Sequence, residues 1–236
     1  INGYLVKLSE NSGDLIWSRS FPSKIKTKES AIESVIQSAD NAILVAGVIN
    51  ADKGTLEGFK SYGNPVSGDA FVMYFSEKQV TSKVAPKSPI WELKIKDALA
   101  VKHLEELPGG DGFLLAVHGD EEPATARVIK ISFDGRPIWE IDVPNHGELT
   151  AITVTQNGYF LSGHKADRFD GIDASISKIS LNGEFLWNKS FGNPRGGDLI
   201  FSGLDEGDPR LIYDECWGIT EFKNGLVLAC GTGIEH

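Results

Sequence analysis

His118 and His164 each close an apolar run, Phe113-Leu-Leu-Ala-Val-His118 and Tyr159-Phe-Leu-Ser-Gly-His164. Neutral imidazoles brought together from such equivalent places bind a transition metal through a ring nitrogen. The plainer reading is two separate, solvent-exposed loop histidines, with His146 and His236 on the same face. Asp167-Arg-Phe-Asp170-Gly-Ile-Asp173 spaces three carboxylates much as a calcium loop does. Hard cations want several oxygen ligands, but the run departs from Asp-x-Asp-x-Asp-Gly, so an acidic connecting loop competes with a calcium site. Further on, Arg195 and Arg210 suit an anion, while Tyr213 and Trp217 suit stacking on a sugar or aromatic ring. The glycines between Gly192 and Asp198 neither follow a strand nor open a helix, so they make no phosphate-binding loop.

Cys216 and Cys230 are the two cysteines, too few for a disulfide framework or a four-cysteine metal site. One bridge and two separate buried thiols both fit. They flank the turn Lys223-Asn224-Gly225. A tight turn centred on Asn224-Gly225 sets Cys216 opposite Gly233, out of reach of Cys230 unless a bulge or larger turn intervenes.

The composition bounds what this chemistry can serve. A net charge of -10 repels phosphate backbones and argues against nucleic acid. No apolar run approaches the roughly 18 residues of a membrane span. The opening Ile1-Asn2-Gly3-Tyr4 carries no signal peptide and reads as the inside of a repeat, as trimming would leave it. There is no nucleophile elbow with an ordered triad, no paired metal motif and no nucleotide loop.

A repeat must position these residues. Tyr4-Leu-Val-Lys-Leu-Ser is followed by Gly13-Asp-Leu-Ile-Trp17. Arg127-Val-Ile-Lys-Ile-Ser is followed by Gly135-Arg-Pro-Ile-Trp139, and Ser175-Ile-Ser-Lys-Ile-Ser by Gly183-Glu-Phe-Leu-Trp187. A degraded copy runs from Phe71-Val-Met-Tyr-Phe-Ser through a longer turn to Pro89-Ile-Trp91. Each reads as a strand, a turn and a second strand marked by Trp. A second hairpin follows each Trp, over Ala31–Gly47, Ala98–His118, Glu148–Gly163 and Glu215–Gly231. Its second strand is strongly apolar, as in a strand covered on both faces. No segment carries a convincing capped helical period. These self-similar units predict an all-β fold, a single β-propeller domain over residues 1–236 with four-stranded blades. The four Trp residues then pack between neighbouring blades.

The pattern resembles that of secreted bacterial β-propeller repeat proteins, and is similar to the repeat of pyrroloquinoline-quinone dehydrogenases. That resemblance covers nearly the whole chain. It implies that the Lys and Trp strands are the outer pair of a blade and that the following hairpin starts the next one. The hairpin over Cys216–Gly231 would then complete the blade begun by Tyr4–Trp17, closing four blades; the alternative is a partial set of blades from a larger propeller. It also implies a secreted or periplasmic location.

In such a blade the turns within hairpins lie on one face and the connections between hairpins on the other. The connections are the longer and more varied, so a site is expected there, at the mouth of the central channel. The expected ligand-binding residues are Arg195, Tyr213 and Trp217; the expected metal ligands are His118, His164, Asp167, Asp170 and Asp173. The leading functional reading is a non-catalytic extracytoplasmic module binding a glycan, a peptide or a protein surface. A metal- or quinone-dependent oxidoreductase and a polysaccharide hydrolase or lyase are the alternatives. A calcium or transition-metal ion is the cofactor considered, and exposed blade edges would permit oligomers.

Overall fold

The structure is a computed structural model that describes residues 2–53, 68–81, 88–119, 125–167, 171–191 and 213–233. Its strands come in pairs, as the repeat predicts. The hairpin β1 (Gly3–Leu8) and β2 (Leu15–Phe21) forms a two-stranded sheet. Next come two four-stranded antiparallel sheets. The first is β3 (Lys28–Gln37), β4 (Ile43–Asp52), β5 (Asp69–Phe75) and β6 (Trp91–Ile95). The second is β7 (Ala98–Glu106), β8 (Phe113–Gly119), β9 (Ala126–Ile131) and β10 (Pro137–Val143). The last sheet orders β11 (Glu148–Thr155), β12 (Gly158–Asp167), β13 (Gly171–Ile179) and β14 (Phe185–Phe191), and one parallel bridge, Ile172 to Tyr213, adds the hairpin β15 (Tyr213–Phe222) and β16 (Gly225–Gly233). Each full sheet therefore starts at the hairpin after one Trp and ends at the next Trp strand. The architecture is all-β and propeller-like, built of four-stranded antiparallel units with a two-stranded hairpin at either end.

Alternation explains why the sheets stack. Successive side chains of a strand point to opposite faces. On β8, Phe113, Leu115 and Val117 join the core shared with the first blade, while Leu114 and Ala116 join the core shared with the third. On β4, Leu44 and Ala46 face the second blade while Val45 and Ile49 face the β1–β2 hairpin. These second strands are thus apolar on both faces, because both faces meet a neighbour.

The outer hairpins repeat one turn. Ser132 N donates to Arg136 O at 2.8 Å and Gly135 N to Ser132 O at 2.9 Å; Ser180, Glu184 and Gly183 reproduce both bonds. Gly135 has φ +80° and Gly183 φ +86°, the left-handed region that side chains avoid. Both also lie under a tryptophan of the preceding blade. A Cβ on Gly135 would stand 2.7 Å from the Trp91 ring, and one on Gly183 would stand 2.7 Å from that of Trp139. Trp91 further stacks on Tyr74 at 5.1 Å and donates from Nε1 to Phe133 O. The four repeat tryptophans are half-buried, wedged at blade junctions rather than sunk in a core. The longer turn of the first blade begins with the short helix α1 (Glu77–Thr81), which the sequence reading did not expect and whose Val80 packs into the cluster that Trp17 borders.

The reading of the two cysteines as one bridge is borne out, through a turn one residue earlier than the Asn-Gly pair suggests, and one expectation needs correction. The last hairpin turns on Lys223–Asn224, with Phe222 opposite Gly225 and Lys223 itself at φ +54°. That register, with a bulge between Cys216 and Gly218, sets Cys216 directly opposite Cys230, and the two form a disulfide. Contrary to the expected closure, β15–β16 and β1–β2 do not share a sheet: β1 pairs with β2, and β16 with β15. The inner strands pack in series, β3 on β7, β7 on β11 and β11 on β15, but β15 does not pack on β3 in the same way.

Trp91→Ala should destabilise by about 3 kcal/mol, the lower end for a core aromatic because the ring is half-buried. Gly135→Ala should cost about 1–3 kcal/mol more than Gly13→Ala, since both positions have positive φ but only Gly135 carries a ring above it. Urea unfolding of the three variants checks this; equal losses for the two glycines would remove the tryptophan contact from the account. Removal of the Cys216–Cys230 bridge, which closes a separation of 14 residues, should cost about 3 kcal/mol. Thiol titration of the unfolded, unreduced chain should find no free thiol.

Candidate functional site

The inner strand of every blade carries a β-bulge at the same place. Register slips between Ile32 and Ser34 on β3, Val101 and His103 on β7, Leu149 and Ala151 on β11, and Cys216 and Gly218 on β15. The extra residues are Glu33, Lys102, Thr150 and Trp217. A bulge leaves one residue unpaired and re-aims its side chain. β3, β7 and β11 are edge strands of their sheets and pack in series with β15, so the four bulges lie along one row of adjacent strands. The backbone must pass close to make them. A Cβ on Gly47 would fall 2.1 Å from Ala31 O, and one on Gly163 would fall 2.0 Å from Glu148 O. Glycine faces the kink in those two blades for that reason.

The bulges build a charged cluster across three blades. Lys102 Nζ lies 3.1 Å from Glu148 Oε1 and 3.7 Å from Glu33 Oε2. His164 Nε2 lies 3.7 Å from Glu148 Oε2. Thr150 donates to Ser162 O at 3.1 Å and to Cys216 O of the neighbouring β15. Burial is the largest influence on Lys102 and alone would lower its pKa, but Glu148 and Glu33 outweigh it and hold the ammonium above its usual value. Burial likewise works to raise Glu148, yet Lys102, His118 and His164 overcome it, and the carboxylate lies below its usual range. Burial drives His118 down against the pull of Glu148. It drives His164 down as well, with His118 and Lys102 adding to the fall. The cluster therefore holds an ionised Lys102 and Glu148 beside two neutral imidazoles.

The sequence-predicted residues divide. His118 and His164 both lie near Glu148 on strands rather than on open loops, His164 buried and His118 half-buried. Asp173 sits half-buried on β13 opposite Lys165. The connection expected over Lys165–Asp173 is mostly strand, because β12 runs to Asp167 and β13 starts at Gly171. The Asp167 side chain and all of Asp170 lie outside the described residues. Among the described residues no group of three or more His, Cys, Asp or Glu is gathered for a metal ion. Trp217 stands at the β15 bulge with half its surface exposed. Tyr213 opens β15 but its side chain lies outside the described residues, as do Arg195, Arg210 and His236. His146 is elsewhere, buried between blades. Its Nε2 shares a hydrogen bond with Ser177 Oγ at 2.9 Å, and Asn188 donates to both Ser175 and Ser177. Burial pushes His146 down to about 4, with the Glu148 backbone opposing and His164 contributing.

Glu33, Lys102, Glu148 and Thr150 are the residues that sequence reasoning misses. A signal was present in Ala98-Leu-Ala-Val-Lys102, a lysine closing an apolar strand segment. Recognising it requires the bulge, which no local pattern announces.

The class defined by this fold and site is a propeller-like stack of β-blades with a polar inner rim. No protein-family model and no curated protein matches the chain. Among solved structures it is similar to a protein of unknown function from Bacteroides caccae, with a TM-score of 0.49 and 10% sequence identity. That alignment covers 81% of this chain and 59% of the other, so the chain spans less than two thirds of its neighbour's length.

Three histidines held neutral by burial set an acid limit. Each has a folded pKa below the usual 6.5, so the unfolded chain takes up protons first as pH falls. Stability should be unaffected above about pH 7. It should drop from 6.5 downward, until His146 protonates in the folded state near 4. Urea midpoints at pH 7.5, 6 and 5 check the slope, and His146→Gln should flatten it.

Proposed function

We propose that this chain is an extracytoplasmic binding propeller that holds a glycan at the channel-side rim. The observation that carries the reading is the set of four equivalent bulges, at Glu33, Lys102, Thr150 and Trp217, on strands that pack in series. An exposed indole offers a flat apolar face to the C–H side of a sugar ring. Carboxylates, a hydroxyl and an ammonium held by neighbours offer fixed hydrogen-bond partners for sugar hydroxyls. Lys102 is clamped between two carboxylates, so the rim is ordered before a ligand arrives and loses little entropy on binding.

The charge state favours binding over glycoside hydrolysis. A general acid needs a carboxyl group raised toward neutrality, whereas Glu148 is held below its usual range. The oxidoreductase alternative rests on the repeat resemblance alone. A secreted or periplasmic location is supported by the Cys216–Cys230 bridge, because disulfides persist in oxidising compartments. No helix among the described residues is long and apolar enough to cross a membrane. We read the half-blades β15–β16 and β1–β2 as the inner and outer pairs of a fourth blade type, with repeats of the kind found in secreted bacterial propellers.

Calorimetric titration against a panel of oligosaccharides tests the reading. At least one should bind, and Trp217→Ala should weaken it tenfold or more, a loss of about 1.4 kcal/mol, with the disulfide and the melting temperature retained. Unchanged affinity in that variant would displace the site from the bulge rim. Binding of peptides with no glycan bound would replace the ligand class.

A further inference from the structure

We propose that the charged cluster is an acid-sensitive latch: His164, on gaining a proton, takes the Glu148 carboxylate and releases Lys102, so that β7 lets go of β11 while the chain stays folded. The latch is built from the cluster itself and does not depend on which ligand the rim holds.

Glu148 offers one oxygen to each rival. Oε1 lies 3.1 Å from Lys102 Nζ, and Oε2 lies 3.7 Å from His164 Nε2. The first contact is made, and it ties β7 to β11. The second is beyond hydrogen-bond length and becomes a strong bond only when the ring carries charge. Glu148 and His164 stand directly opposite each other on paired strands, so a small rotation of the side chains closes it.

Lys102 has a second station. Glu33 Oε2 on β3 lies 3.7 Å from its Nζ. Exposure decides which cation leaves. The Lys102 side chain is 28% exposed, and that of His164 is 5% exposed. A displaced ammonium on a flexible stem reaches Glu33 and water, whereas a displaced imidazolium would stay buried without a partner.

The groups around the ring set the balance. β11 supplies Glu148, β7 supplies Lys102 and β8 supplies His118. β15, packed on both β11 and β12, brings the buried carboxylates Asp214 and Glu215. β13 places Ala174 opposite the ring and Asp173 opposite the adjoining Lys165. His146 is near enough for its ring and that of His164 to repel when both are charged. At neutral pH the carboxylates of Glu33 and Glu148 face the single ammonium of Lys102, and a proton on His164 balances the excess.

The pH window has two edges. Burial lowers His164 below the usual 6.5, with Glu148 opposing and His118 and Lys102 adding. Burial pushes Glu148 up, but its cationic neighbours hold it below the usual 4.5. Above 6.5 the ring is neutral and Lys102 keeps Glu148. As pH falls beneath 6.5 the ring gains its proton while the carboxylate is still an anion. The acid loss of stability compares folded with unfolded chains, whereas the latch is a change within the folded one.

Carbon-13 NMR of the reductively methylated chain tests the latch, titrated from about pH 7.5 to about pH 5, the range in which histidines change charge. Lys102 is assigned through Lys102→Arg, and the histidine ring signals are followed in the same titration. The Lys102 methyl signal should move with the midpoint of His164. Amide exchange at the bulges of β7 and β11, corrected for intrinsic rates, should quicken about tenfold or more at the acid end, with the near-ultraviolet circular dichroism retained. In His164→Gln both responses should vanish. A Lys102 signal that stays still while His164 titrates, or that moves at another midpoint, overturns the proposal. A His164 ring that takes no proton across the range overturns it too. So does loss of the circular dichroism over the same range, which would be unfolding. The unmutated chain supplies these readings, so the outcome stands if His164→Gln does not fold.

Discussion

A sheet that is apolar on both faces is stable only between two others, and every other feature of this protein follows from that constraint. The second strands β4 and β8 alternate apolar side chains to both faces, so neither blade could bury its surface alone. The blades must stack, and stacking forces the inner strands together while the outer strands fan apart. The gap that opens at the outer end is where the tryptophans lie, each filling the space above a glycine of the next turn.

Crowding at the inner end has a different solution. Inner strands placed side by side cannot all present two full rows of side chains. A bulge at one position removes a residue from the packed rows and re-aims its side chain. The structural device that lets the blades converge therefore also equips the rim. Blade by blade, the residue released is an acid, a base, a hydroxyl and an indole. Glycine at positions 47 and 163 belongs to the same device, since the kinked backbone occupies the space a side chain would need.

The rim's electrostatics come from neighbours rather than from any one blade. Lys102 is contributed by the second blade, Glu33 by the first and Glu148 by the third. Burial works against both Lys102 and Glu148, and their proximity reverses the outcome for each. At neutral pH the imidazoles of His118 and His164 lie too deep to compete as cations, so they pack as neutral groups around the ion pair. Losing one charge would leave the other buried and unpaired, which makes the cluster a junction among blades as well as a surface.

The repeat, the strand order within each blade and the role of turn glycines were all legible in the residues, because each depends on a period or a spacing along the chain. The outer-hairpin turns, with Ser132 and Gly135 or Ser180 and Gly183, are local hydrogen-bonding motifs and could be read as such. The rim was not legible. Glu33, Lys102, Thr150 and Trp217 become equivalent only through a one-residue slip between paired strands, and that slip is chosen by how closely the blades pack. The facing of Cys216 and Cys230 depends on the same slip, together with a turn one residue earlier than the Asn-Gly pair suggests. Residue types and their order therefore determined which blades form. The positions of charges and sulfurs relative to one another were decided by contact between strands distant in the chain, where a single added residue exchanges what is paired for what is presented.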